Sequence, residues 1–169
     1  LTISDACSRF LLECRKTEGE RTEPVKKVFE HVFHEYGLPF RIRTDNGSPF
    51  ASKAVGGLSQ LSIWWVKLGI LPERIEPGHP EQNGRHERMH RTLKLETASP
   101  AQSTMDAQQA AFDCFRYTYN HERPHEALDQ RTPASFYTPS PRPMPSHIGE
   151  PEYPEEFELR RVNRSGSVK

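Results

Sequence analysis

Apolar side chains recur along this chain at two different periods. Val25, Val28, Phe29, Val32, Phe33 and Tyr36 follow one another at steps of three and four, the spacing of one buried helical stripe. Pro24 opens that helix and Gly37-Leu38-Pro39 stops it. A second helix is predicted over 52–68 from Leu58, Leu61, Trp65 and Leu68, weakened by Gly56-Gly57. A third follows a Gly/Pro loop at 77–84, and a fourth covers 106–119. Strand-like segments fall between the helices: 1–3 and 9–14 around an irregular Ser4-Asp5-Ala6-Cys7-Ser8, then 41–45, then 70–75 with Pro72 inside it. Strands alternating with helices predict an α/β fold with helices packed on a mixed sheet. Trp64 and Trp65 are expected to pack the second helix, and Thr132-Pro133 reads as an N-cap with Pro at N1 opening a short helix to residue 137.

Composition narrows the picture less than pattern does. At 169 residues the chain has room for one domain with a real core, but its hydrophobic content is 34% and it holds 15 prolines, so part of it should be extended. Twenty-three basic and 23 acidic residues cancel, so a polyanionic partner has to be argued from local clusters. Cys7, Cys14 and Cys114 form no Cys-x-x-Cys pair and are expected to be free, buried thiols in a reducing compartment. No apolar run approaches the roughly 18 residues that span a bilayer, and the expected location is the cytoplasm.

The chemistry gathers at two carboxylates. Asp45 stands at a strand end in Arg43-Thr44-Asp45-Asn46-Gly47-Ser48-Pro49-Phe50, with a turn signal directly after it. Glu87 lies early on a basic helix, where Asn83, His90, Arg91 and Lys94 share its stripe while Met89 and Leu93 face the other way. Two hard oxygen ligands suit Mg²⁺, and cations beside them suit phosphate. His86-Glu87-Arg88-Met89-His90 also satisfies H-E-x-x-H, the zinc-protease pattern. Arg85, Arg88 and Arg91 crowd that helix, however, where a zinc-protease helix normally lies in an apolar core.

Four segments carry a resemblance in order along the chain: residues 1–10, 43–50, 77–94, and 119–134 with its Tyr119-Asn120-His121-Glu122-Arg123-Pro124-His125. Together they resemble the catalytic core of the insertion-sequence transposase and retroviral integrase superfamily. The resemblance implies a ribonuclease H-like fold and a triad of two aspartates and a glutamate binding two Mg²⁺ (or Mn²⁺) ions. It makes Asp45 the second carboxylate and Glu87 the third, both catalytic and metal-binding. Asn83, His90, Arg91 and Lys94 become candidate contacts to DNA, and a homo-multimer on transposon ends and target, at the nucleoid of a bacterial-type cell, is implied. A decayed relic that binds DNA without cutting it is the alternative reading.

The family's first aspartate belongs to a strand preceding the segment that residues 1–10 resemble. Asp5 is expected instead to hold a turn through its side chain. The chain, read as a fragment lacking that strand, is expected to be inert by itself. Its organisation is read as a catalytic core at 1–138, a Pro-rich and acidic linker at 139–158, and the start of a small β-barrel at 159–169. Ala127 and Leu128 are expected to anchor the return segment, with DNA contact by Arg123 or His125 as the lesser alternative to a structural role.

Overall fold

The computed structural model describes residues 1–17, 19, 21–45, 47–50, 52, 57–75, 84–149, 154–156, 158 and 160. Two short strands open the chain. β1 (Thr2–Ser4) pairs antiparallel with β2 (Leu11–Cys14), with Thr2 opposite Cys14 and a register shift between Ile3 and Ser4. Asp5 holds the turn between them as expected. Its Oδ2 accepts from the backbone N–H groups of Cys7 (3.2 Å) and Ser8 (2.6 Å) and from the Ser8 hydroxyl (2.6 Å).

α1 (Thr22–Tyr36) carries the predicted stripe, with Val25, Val28, Phe29, Val32 and Phe33 all buried. Pro24 sits in its first turn, where a missing N–H costs no helical hydrogen bond. β3 (Arg41–Thr44) then runs parallel to β4 (Leu71–Arg74), Arg41 opposite Leu71 and Thr44 opposite Arg74. Between them lies α2 (Gln60–Lys67), much shorter than the predicted 52–68. Gly57 takes φ +68, a left-handed conformation, and Ser59 caps the helix by accepting from Ser62 N at 3.1 Å, so the helix starts only after Ser59. Among the described residues β4 pairs only with β3, and an edge strand tolerates Pro72. α3 (Gly84–Thr97) and α4 (Met105–His121) follow, then 3-10 turns at Glu126–Leu128 and Pro133–Ser135.

The expected mixed sheet is present as two separate two-stranded ladders, one antiparallel and one parallel. Two apolar clusters match them. Val25, Phe29, Phe33, Leu61, Trp64, Trp65 and Ile70 fill the space around α1 and α2, with Phe29 edge-on to Trp65 at 5.0 Å. Leu11, Cys14, Met89, Phe115 and Tyr119 join β2 to α3 and α4.

Side chains of α4 occupy the second edge of β2. Gln109 Nε2 donates to Cys14 O (2.9 Å) and Arg116 donates to Leu12 O (2.7 Å). Asn120 accepts from Leu11 N (2.8 Å) and donates to Leu11 O (3.0 Å). The helix thus supplies, from its side chains, the partners that a neighbouring strand would supply from its backbone.

The Pro-rich stretch after Thr138 is extended, and it is laid against the body of the protein. Ser140 N donates to Tyr36 O (2.9 Å), and Leu38 N donates to Arg142 O (2.7 Å). The Arg142 guanidinium reaches the carbonyls of Pro39 (2.9 Å), Leu68 (3.0 Å) and Gly69 (3.1 Å). Gly37, at φ +80, permits this approach, because a Cβ there would lie 2.5 Å from Ser140 O.

Two expectations are corrected. Cys14 is buried, but Cys7 and Cys114 are exposed, because their positions fall in an outer turn and on the outer side of α4. Leu128 is buried while Ala127 faces outward from its 3-10 turn. Arg123 has the structural role favoured for it, donating to both Glu96 oxygens (2.7 and 2.9 Å) and lying over the Phe115 ring. Of the predicted barrel start at 159–169, only Arg160 is among the described residues. No helix among them is long and apolar enough to cross a membrane.

Replacing Asn120 with Leu leaves the buried Leu11 N–H and C=O without their partners, and should cost about 1–3 kcal/mol. Urea unfolding checks this, and Asn120→Asp, which keeps the acceptor but loses the donor, should also be destabilised.

Candidate active site at the end of β3 and the start of α3

The parallel ladder ends at Thr44, which puts Asp45 at the C-terminal end of β3, exposed. Its Oδ1 accepts from Gly47 N at 3.0 Å, and this local bond orients the carboxylate. A Cβ on Gly47 would come within 3.2 Å of the same oxygen, so a larger residue there would press on the carboxylate.

Glu87 lies in the first turn of α3, where the partial positive charge of the helix end favours a carboxylate. It is exposed, as are His90, Arg91 and Lys94, whereas Met89 is buried and Leu93 partly so. The helix therefore divides into the two faces that its sequence predicts. Asn83 lies outside the described residues.

β1 meets this helix through its hydroxyls. Thr2 Oγ1 lies 2.9 Å from His86 Nε2 and also hydrogen-bonds His90 Nε2, and Ser4 Oγ lies 3.5 Å from His86 Nδ1. The two imidazole rings are 4.5 Å apart between centroids. Burial against β1 pushes the His86 pKa down to about 4, helped by the neighbouring His90 and the Leu1 ammonium and opposed by the Asp45 carboxylate. The His90 pKa is lowered by the same desolvation and by the Leu1 ammonium, again against Asp45. Asp45 thus acts on both histidines, and the end of β3 is electrostatically coupled to the turn of α3 that holds Glu87.

Reading the sequence alone missed Thr2 and Ser4. Their signal was available in principle: alternate positions on one strand share a face. Nothing in the local pattern, however, says that this face meets α3. His86 was noticed only as part of H-E-x-x-H. Among the described residues no group of three His, Cys, Asp or Glu side chains is arranged to hold a metal ion. A cleft of about 360 Å³ between the ends of α1 and α2, lined by Thr22, Lys26, Gln60, Trp64 and Lys67, contains neither carboxylate.

Residues 68–133 match the family described as integrase core domain. Over that stretch the chain resembles an integrase core domain. The matched stretch includes Glu87 and the whole of α3 and α4, and Asp45 precedes it. Among curated relatives, the insertion element IS407 uncharacterized 31.7 kDa protein of Burkholderia multivorans is 26% identical over 137 residues, covering 80% of this chain and 47% of that protein. The insertion element IS476 uncharacterized 39.2 kDa protein of Xanthomonas euvesicatoria is 29% identical over 137 residues, covering 80% of this chain and 38% of that one. The chain therefore spans about half the length, or less, of these relatives.

Solved structures agree on the fold. The catalytic core domain of BIV integrase superposes with a TM-score of 0.61 at 21% identity, covering 80% of this chain and 82% of that one. A chain of the simian T-cell lymphotropic virus intasome in complex with PP2A regulatory subunit B56 gamma gives 0.65 at 20% identity, covering 99% of this chain and 59% of that one. The α/β, ribonuclease H-like architecture expected from the sequence is the one found, and the protease reading is not favoured.

The depressed His86 pKa has a sign that can be tested. The unfolded chain takes up this proton near pH 6.5, while the folded protein resists it until about pH 4. Stability from this group is complete above pH 6.5 and is lost as the pH falls toward 4. The thermal midpoint should drop between pH 6.5 and pH 5, and His86→Gln should flatten that part of the profile. An equal slope in the variant would remove His86 as the cause.

Proposed function

We propose that this integrase core serves DNA transposition, as the part of a polynucleotidyl transferase that cuts element ends and joins them to target DNA. The observation that carries the reading is that the stretch matching an integrase core domain contains Glu87 on the exposed side of α3, with Asp45 at the end of the preceding parallel ladder. The match to the integrase core domain and the resemblance to insertion-element proteins support it. Both acids are present, which favours an active parent over a DNA-binding relic.

Asp45 and Glu87 fit Mg²⁺ or Mn²⁺ by their donor chemistry. Both are exposed carboxylates, and Mg²⁺ is commonly held by one or two carboxylates together with substrate phosphate and water. Two such ions, when bound, lower the barrier of an in-line phosphoryl displacement by stabilising charge on the attacking and leaving oxygens. The chain's own residues do the rest. Asp45 is exposed and is held by the Gly47 N–H through one carboxylate oxygen, Oδ1. Glu87 is fixed by a helix whose opposite face is anchored through Met89.

Arg91 and Lys94 lie one turn and two turns beyond Glu87 on its exposed side, where they hold the phosphates of a duplex end. His90 and Asn83 are assigned the same contact role. Phosphate contacts of this kind set register without reading sequence. With a neutral total charge, the attraction has to come from local clusters such as this one. The active assembly is a homo-multimer on DNA, in the cytoplasm at the nucleoid.

The test is strand transfer in Mg²⁺ by the whole protein, reading DNA ends on a gel. Asp45→Asn and Glu87→Gln should each reduce turnover by about 10²–10³-fold while leaving DNA binding intact, as removal of an electrostatic stabiliser of a transition state does. Full activity in either variant would sink the assignment. Lys94→Ala should weaken binding of all duplexes alike and lower the slope of log K against log salt by about one. An unchanged slope would take Lys94 off the phosphate path.

A further inference from the structure

His86 and His90 are four residues apart on α3, so their rings lie on one side of the helix. Both Nε2 atoms hydrogen-bond a single oxygen, Thr2 Oγ1 on β1. Because they share that oxygen, the two nitrogens face one point, and the ring centroids are 4.5 Å apart. Two imidazole nitrogens at this helical spacing are a recurrent way of holding a borderline transition-metal ion, with metal–nitrogen distances of about 2.0–2.1 Å. The nearby oxygen ligands are of a different kind, since Asp45 and Glu87 are hard donors suited to Mg²⁺.

We propose that His86 and His90 form an open two-nitrogen clip for a borderline divalent ion such as Zn²⁺ or Ni²⁺, separate from the carboxylate site. The ion replaces the hydrogen bonds from the two Nε2 atoms to Thr2 Oγ1 and lies between the rings, and the displaced Thr2 hydroxyl and water complete its coordination. Among the described residues no third His, Cys, Asp or Glu closes the site, so binding is exchangeable rather than structural. Occupancy ties the start of α3 to β1 and adds positive charge within the field of Asp45. A borderline ion thereby becomes a regulator of the same helical turn that carries Glu87. The clip itself depends on neither Asp45 nor Glu87, so it stands or fails independently of the transposition reading.

Calorimetric titration of the chain with ZnCl₂ tests this. The wild-type protein should bind one Zn²⁺ saturably, and His86→Gln/His90→Gln should lose at least about tenfold in affinity. Asp45→Asn/Glu87→Gln should stay within about threefold of wild type. Equal loss in the two double variants would assign the ion to the carboxylates, and unchanged affinity in the histidine variant would dismiss the clip. Histidine ¹⁵N spectra of the unmodified protein guard against a variant that fails to fold. Zn²⁺ should move the ring signals of His86 and His90 first. Movement of His31 and His34, the other closely spaced pair on a helix, in their place would overturn the proposal.

Discussion

The polar edge that α4 turns toward β2 is the constraint on which the arrangement of elements depends. The two ladders do not pair with each other among the described residues, so hydrogen bonding within strands cannot hold the β1–β2 hairpin to the rest. Gln109, Arg116 and Asn120 do so instead, at roughly strand-like intervals along β2. Each backbone group they reach would otherwise be a buried donor or acceptor without a partner, a situation folded proteins almost always avoid. Leu11, Phe115 and Tyr119 then pack behind those bonds. Because α3 shares that cluster through Met89, fixing the hairpin also fixes the helix on which Glu87 rides.

Much of this was legible in the chain, and the reason differs by element. α1 was readable because its stripe runs through four turns without contradiction. α2 was overextended at its start, because apolar spacing alone cannot see that Gly57 turns left-handed and that Ser59 caps. The turn role of Asp5 was legible because an aspartate two and three residues before backbone donors needs no tertiary partner. The contribution of Asn120 was not: its value comes from a partner 109 residues away, and sequence spacing carries no trace of such a contact.

The candidate site divides along the same line. The exposed stripe of Glu87, His90, Arg91 and Lys94 follows from helical geometry and was predictable. Asp45 at a strand end followed from a short strand and a turn signal. What local pattern could not give is the meeting of β1 with α3, which turns two histidines from members of a charged helix into partly desolvated groups facing Thr2. The misplaced thiols have a simpler cause. Cysteine is buried by habit rather than by rule, and Cys7 and Cys114 fall on outward positions.

The Arg142 guanidinium bridges the turn that enters β3 and the turn that enters β4, reaching carbonyls 103 and 74 residues earlier in the chain. That separation bears on the order in which the protein can mature on a ribosome. At roughly 5–20 residues per second, the turn after Leu68 waits about 4–15 s for Arg142 to be synthesised, and longer for it to leave the exit tunnel. Until then the parallel pair must persist on its own ladder, its Arg41 and Arg43 pairing with Glu73 and its apolar packing, with three carbonyls served by water. The late arrival of one arginine therefore makes the closing of this fold a vectorial event, completed from the C-terminal side of the described residues.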